Sequence, residues 1–146
     1  MRLPPAALLD TSVLLRLFHD HRDAHQRAAD MIRDRWTRGR IELVLLDLSV
    51  YEFVNVLVRR LGKDEERAAA DADALFDLGL PTASVDRDLA RAAARLAAAT
   101  RLSGYDAAFV AAARGLGIPL ITADARITRE AQDGDVLSLA ALAEEL

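Results

Sequence analysis

The sequence predicts an α/β fold: a parallel β-sheet covered by helices on both faces. Three observations predict it. Five short apolar runs, partly β-branched, alternate with segments whose apolar residues recur at helical spacing. The short runs are apolar almost throughout, as in strands buried on both faces. The 146 residues, 52% hydrophobic and 29% charged, suit one folded domain over 1–146. Such a chain can remove about two-thirds of its surface from water.

The first run, AALLDT (6–11), reads as a buried strand, and Thr11 or Ser12 can cap a helix with Val13, Leu14, Leu17 and Phe18 on one face. HDHRDAH (19–25) is a polar break. From 24 to 38, Ala28, Met31, Ile32 and Trp36 fall at helical spacing, and Gly39 ends the helix. IELVLLD (41–47) is the second strand, followed by an amphipathic helix over 49–62 that stops at Gly62. A helix over 64–78 points Ala68, Ala72, Leu75 and Phe76 inward and ends at Gly79-Leu80-Pro81. PTASVD (81–86) is a third strand. Helices over 86–101 and 103–117 follow, then PLITAD (119–124) as a strand, a short helical piece, DVLSL (135–139) as the last strand and a closing helical turn. The order is βααβααβααβαβα. No linker, repeat or low-complexity tract interrupts it beyond the Ala-rich helix, which reads as tight core packing.

Composition excludes several classes. With no cysteine there is no disulfide framework, thiolate zinc site or cysteine nucleophile. There is no run of 18 apolar residues and no basic stretch followed by an apolar core, so the expected location is cytoplasmic, without a membrane partner. The balance of 23 acids against 19 bases, net −4, is not that of a typical basic nucleic-acid binder. Lys63 is the single lysine, so a mechanism that needs one has only one place to look.

The acids are placed with more purpose than their number suggests. Asp10 interrupts the apolar stretch ALLDTSVLL (7–15), where an uncompensated charge is costly. Open α/β sheets bind ligands outside the carboxyl ends of their strands. Asp10 and Asp124 both sit at such ends, and Glu52 opens the helix after the second strand. Asp106 opens a helix that follows another helix, so pattern alone does not bring it to that edge. Each acid has a plainer reading. Ser49 to Glu52 and Ser103 to Asp106 fit capping boxes, and Asp10 and Asp124 fit helix-entry and turn positions.

Four carboxylates on one edge repel unless protonated or neutralised by a cation. All-oxygen ligands select a hard ion, Mg²⁺ or Mn²⁺. Two ions about 4 Å apart would suit in-line displacement at phosphorus, and one ion plus a base is the alternative. Removing the four acids leaves 19 against 19, so the whole net charge can be assigned to this site. Arg22, Arg27, Arg38, Arg59, Arg60 and Lys63 are then candidates for phosphate contacts.

The stretches ALLDTSVLL, YEFVNVL, YDAAFVAAARGLGIPLITAD and DVLSL together resemble the PIN-domain family and, within it, the ribonuclease toxins of VapC type from toxin–antitoxin pairs. The resemblance spans essentially the whole chain. It implies an α/β/α sandwich with a five-stranded parallel sheet, Rossmann-like, and cleavage of RNA dependent on Mg²⁺ or Mn²⁺. By motif, Asp10 and Asp106 become the leading metal ligands, with Glu52 and Asp124 completing the cluster. Thr11, Ser12 and Thr122 match the adjacent hydroxyl positions, and Asn55, one turn from Glu52, is expected to orient it. The resemblance also implies a homodimer and an antitoxin partner, with the apolar helix faces between Val13 and Leu80 as a surface for them. In the mechanism it suggests, a water activated by the ion and by an acid such as Asp124 attacks phosphorus.

Other readings compete. A non-toxin nuclease of RNA processing and a non-catalytic binding module share the same fold. A dehalogenase-type phosphatase needs a second Asp where Ser12 stands, and a phospho-receiver needs a Lys after the last strand. His21 and His25 have i, i+4 spacing but lie in a polar junction with no apolar wall for a metal site. Asp47, at the end of the second strand, rivals Glu52 as an outer acid.

Overall fold

Strand β1 (Ala6–Leu9), buried from Ala7 onward, occupies the centre of a five-stranded parallel sheet of order β3-β2-β1-β4-β5. The computed structural model describes residues 2–132 and 134–146. The other strands are β2 (Glu42–Leu46), β3 (Thr82–Ala83), β4 (Leu120–Thr122) and β5 (Val136–Ser138). The helices are α1 (Thr11–Phe18), α2 (Ala24–Thr37), α3 (Leu48–Asn55), α4 (Glu65–Asp77), α5 (Arg87–Ala99), α6 (Gly104–Leu116), α7 (Ala125–Glu130) and α8 (Leu139–Glu144). The predicted order of elements and the parallel pairing are both observed.

Side chains on a strand alternate between its two faces, and β1 shows what this does to the core. Ala7 and Leu9 join a cluster with Val13 and Leu14 of α1, Ile32 of α2 and Phe53 of α3. Leu8 points the other way, into a cluster built on Ala107, Phe109 and Val110 of α6 and Ala93 of α5. Two cores, one on each face, are the three-layer sandwich.

The chain runs from β1 to β2 and β3 on one side, then returns to place β4 on the other. The order reverses between β1 and β4, where the Asp10 amide donates to the Ile121 carbonyl at 3.0 Å. Such a reversal opens a crevice at the carboxyl ends of the strands.

Several boundaries differ from expectation for local reasons. β1 stops at Leu9 because Asp10 caps α1, its carboxylate accepting from the Thr11 amide. β4 likewise stops at Thr122, with Asp124 capping α7. β3 is only two residues, and the Val85 amide donates to Asp47 Oδ2 at 3.1 Å, which turns the chain out of the strand. Asp47 is therefore a structural tie between the ends of β2 and β3. The predicted 49–62 helix starts at Leu48 and widens into a π-helix over Val56–Arg60. Ser49 thus lies inside α3, and its hydroxyl caps nothing. Phe76, expected inward, is 69% exposed, while Leu75 is the buried residue of α4. Ala68, Ala72 and Leu75 hold the i, i+4, i+7 stripe, and Phe76 falls off its edge.

Candidate metal centre at the carboxyl edge of the sheet

Asp10 ends the central strand and is only 6% exposed, yet every oxygen is engaged. Its Oδ1 accepts from the Thr11 amide at 2.9 Å. Its Oδ2 accepts from the Ser12 and Thr122 hydroxyls, each at 2.7 Å. Those hydroxyls are themselves fixed: Ser12 Oγ accepts from the Ala123 amide at 3.1 Å, and Thr122 Oγ1 from the Asp124 amide at 3.0 Å. The D-T-S after β1 and the T-A-D that ends β4 are one hydrogen-bonded unit across the switch point. Burial pushes the Asp10 carboxyl above its ordinary range, and the nearby Asp106 charge adds to this, while the hydroxyl donors oppose it.

Glu52 is brought to the same edge by α3. Its neighbour Phe53 is fully buried and packs against Phe18 of α1, ring centroids 5.0 Å apart and tilted by 59°. Such a pair contributes about 0.5–1.5 kcal/mol beyond its burial. It locks the two helices together with Glu52 toward Asp10. Burial pushes Glu52 up to about 7, and the charges of Asp10 and Asp106 push the same way. Glu52 Oε1 and Thr11 Oγ1 are buried without a hydrogen-bond partner. The Thr11 hydroxyl eases the Glu52 charge slightly, short of a formed hydrogen bond.

Asp106 lies in the first turn of α6, where Ser103 Oγ accepts from its amide at 3.1 Å. The capping expected of Ser103 is observed, and it leaves the Asp106 carboxylate directed at the edge, within electrostatic reach of Asp10 and Glu52. Asp124 Oδ1 accepts from the Arg126 amide at 2.8 Å, and Oδ2 from Arg126 Nη2 at 3.0 Å. The Arg126 guanidinium holds Asp124 below the usual carboxylate range. Arg126 thus occupies both Asp124 carboxylate oxygens, whereas Glu52 keeps an unengaged one.

All four predicted acids reach one edge, Asp10, Glu52 and Asp106 as a mutually repelling set and Asp124 joined to Asp106 through Arg126. Asn55 does not belong to it. Its side chain is exposed and makes no hydrogen bond among the described residues, because Glu52 turns inward and Asn55 outward at the start of the π-helix. His21 Nδ1 sits 2.9 Å from the His19 carbonyl in an exposed turn, away from any metal cluster. Of the predicted phosphate contacts, Arg38 pairs with Asp34 at 2.8 Å and Lys63 with Asp71. None of the six lines the cavity beside Asp106, a space of about 430 Å³ among Arg101, Arg126 and Arg129. Arg126 is the residue that sequence reasoning missed, although it stands only two places after Asp124. Ser49, fully buried one turn before Glu52 with an unpartnered Oγ, was read only as a cap.

The donor set fits a hard divalent cation. It is all oxygen, burial holds its Asp10 and Glu52 carboxyls above their ordinary range, and one buried carboxylate oxygen has no donor. Among the described residues no three His, Asp or Glu side chains close around a point tightly enough to wrap an ion by themselves. Mg²⁺ does not require that, since it keeps several waters and takes one or two carboxylates. Also among the described residues, no helix is long and apolar enough to cross a membrane.

No curated protein matches the sequence. Among solved structures, a toxin–antitoxin complex from Klebsiella pneumoniae is similar with a TM-score of 0.65 at 20% identity, over 91% of this chain and 97% of that one. PAE2754 from Pyrobaculum aerophilum is similar with a TM-score of 0.68 at 25% identity, over 96% of this chain and 88% of that one. Mycobacterium tuberculosis VapC20, described as a Sarcin-Ricin loop cleaving toxin, has a TM-score of 0.64 at 23% identity, over 84% and 93% of the two chains. These likenesses share the fold. The sequence itself matches the PIN domain over residues 7–132, a span that contains all four acids, and the chain belongs to the PIN-domain family.

Proposed function

We propose that the protein is an endoribonuclease dependent on Mg²⁺ or Mn²⁺, and the toxin of a toxin–antitoxin pair. The observation that carries this reading is the set of Asp10, Glu52 and Asp106 at the switch point, three mutually repelling carboxylates with a buried Glu52 oxygen left without a donor. A fold that keeps such a set needs a cation to neutralise it. Asp10 and Asp106 would hold the ion, with Glu52 and Asp124 joining directly or through water. Thr11, Ser12 and Thr122 serve as support, of which Ser12 and Thr122 fix the Asp10 carboxylate. When bound, the ion supplies activation of a water and stabilisation of charge on the phosphate. Glu52 Oε1 is the site on this chain that can take the proton of the attacking water. Burial of Asp10 and Glu52 limits bulk water at the reacting centre.

The toxin reading draws on the similar toxin–antitoxin complex and on an exposed apolar stripe. Tyr51, Val54, Val58 and Leu61 follow one another at helical spacing along α3 and its π-helical extension, all at the surface. That stripe suits an apolar helix of an antitoxin, or of a second copy of this chain.

The test is cleavage of mixed RNA by purified protein in Mg²⁺ or Mn²⁺, beside Asp10→Asn and Asp106→Asn variants and an EDTA control. Each variant should lose at least about a hundredfold in rate, and EDTA should stop cleavage. Equal cleavage in every sample would mean a contaminating nuclease and sink the assignment. Growth arrest on expression should vanish with Asp106→Asn; arrest that persists would separate toxicity from this site.

A further inference from the structure

The guanidinium of Arg126 lies 3.0 Å from Asp124 Oδ2 and 3.8 Å from Asp106 Oδ2, so one cation bridges two of the acids assigned to the metal. Its side chain is 70% exposed, and it opens onto the cavity of about 430 Å³ that Arg101, Leu102, Asp106, Arg129 and Glu130 complete. Three arginines against two acids leave this cavity positive. Once the Asp106 charge is taken up elsewhere, the excess grows. A guanidinium released from carboxylates by a competing cation has its planar donor fork free for a phosphate.

We propose that Arg126 is an internal counter-ion that yields Asp106 and Asp124 to the divalent cation and then grips a backbone phosphate of the RNA strand, with Arg101 and Arg129 completing that phosphate site. This rests on the nuclease reading above and deepens it. It makes metal and RNA binding cooperative, because the ion frees the residue that the strand requires. It also predicts effects of opposite sign from one substitution, which loss of structure would not produce.

The experiment titrates Mn²⁺ calorimetrically into wild-type protein, Arg126→Ala, Arg126→Lys and Asp106→Asn. Binding of a labelled single-stranded RNA is then measured in Ca²⁺ and in EDTA across a salt series. Arg126→Ala should bind Mn²⁺ roughly two- to fivefold more tightly, since an exposed competing ion pair is gone. In Ca²⁺ it should bind RNA about tenfold more weakly, with a log–log salt slope shallower by about 0.7. In EDTA, where Arg126 stays on its acids, the RNA affinity of the variant should equal that of wild type. Arg126→Lys should keep the salt slope and recover only part of the affinity, for want of the bidentate fork. Unchanged or weaker Mn²⁺ binding by Arg126→Ala, or unchanged RNA binding in Ca²⁺, overturns the proposal. If Mn²⁺ binding depends on Asp106 while Arg126→Ala changes nothing, the proposal alone fails. If wild type does not bind Mn²⁺, or Asp106→Asn binds it equally well, the nuclease reading fails with it.

Discussion

At the scale of single residues, Asp10 and Glu52 show two ways of keeping an acid inside an apolar layer. Asp10 is surrounded by donors, the Thr11 amide and the Ser12 and Thr122 hydroxyls, which oppose its desolvation without reversing it. Glu52 has no such shell, and burial with two like charges raises it from 4.5 to about 7. Sign follows from that direction. A carboxyl whose folded pKa is raised binds more protons in the native state, so its cost to stability is absent below about pH 4.5, grows as pH rises, and is complete above about pH 7. In EDTA the protein should therefore lose stability between pH 5 and 8, by an amount on the order of 2 kcal/mol from Glu52. Glu52→Gln should remove the part of that loss due to Glu52, leaving the part due to Asp10, while abolishing catalysis. Denaturant unfolding of both proteins at the two pH values measures it; an undiminished loss in the variant would assign the effect to another group. A gain in stability bought with activity is common where a site is built from unfavourable charges.

Elements carry these residues to the edge, and their ends matter more than their middles. The junction of α1 and α2 depends on Asp23, which caps α2 by accepting from the Gln26 amide at 3.1 Å and pairs with both terminal nitrogens of Arg16 at 2.5 and 2.9 Å. Arg16 holds Asp23 down at about 2, so the pair persists until strong acid. Asp23→Ala should cost about 1–2 kcal/mol from the lost cap alone, and more because Arg16, 8% exposed, loses its partner. Thermal melts of Asp23→Ala and Asp23→Asn separate the two parts, since Asn keeps the cap; equal melting of Asn and wild type would mean the ion pair adds nothing. This scale also shows what a sequence exposes. The alternation of short apolar runs with helical periods sufficed for the order of all elements and for the parallel sheet, because both are set by burial patterns along the chain. Asp10, Glu52 and Asp124 were legible as edge acids because strand ends are local. Asp106 needed resemblance, since α6 follows a helix and its position depends on packing against β1 and β4. The capping role read for Ser49 failed where α3 starts one residue early, the contact expected of Asn55 failed where the turn widens into the π-helix, and Phe76 failed because it lies just beyond the edge of its helix's apolar stripe. Arg126 was hidden because its two partners are distant from each other in sequence.

At the scale of the whole molecule, the charge balance and the site are one question. The net charge of −4 equals the number of edge acids, and the remaining 19 acids and 19 bases cancel. Binding of a divalent ion should then do more than enable chemistry: it should relieve the repulsion that Asp10, Glu52 and Asp106 impose on the fold. Any ligand that binds only the native state adds stability by mass action, about 2.7 kcal/mol at a hundred times its Kd. For a chain of this size that corresponds to a rise in Tm of roughly 5–10 °C. Surface carboxylates elsewhere also attract cations, so a rise in Tm alone does not locate the ion. Asp10→Asn and Asp106→Asn do, because each removes one charge of the −4 without touching the other 19 acids. Melting in EDTA, Mg²⁺ and Mn²⁺ at constant ionic strength should give a large rise for wild type and little for either variant, and in EDTA Asp106→Asn should melt at or above the wild-type temperature. A rise of the same size in all three proteins would place the ions on the general surface and leave the repulsion at the switch point without its proposed remedy.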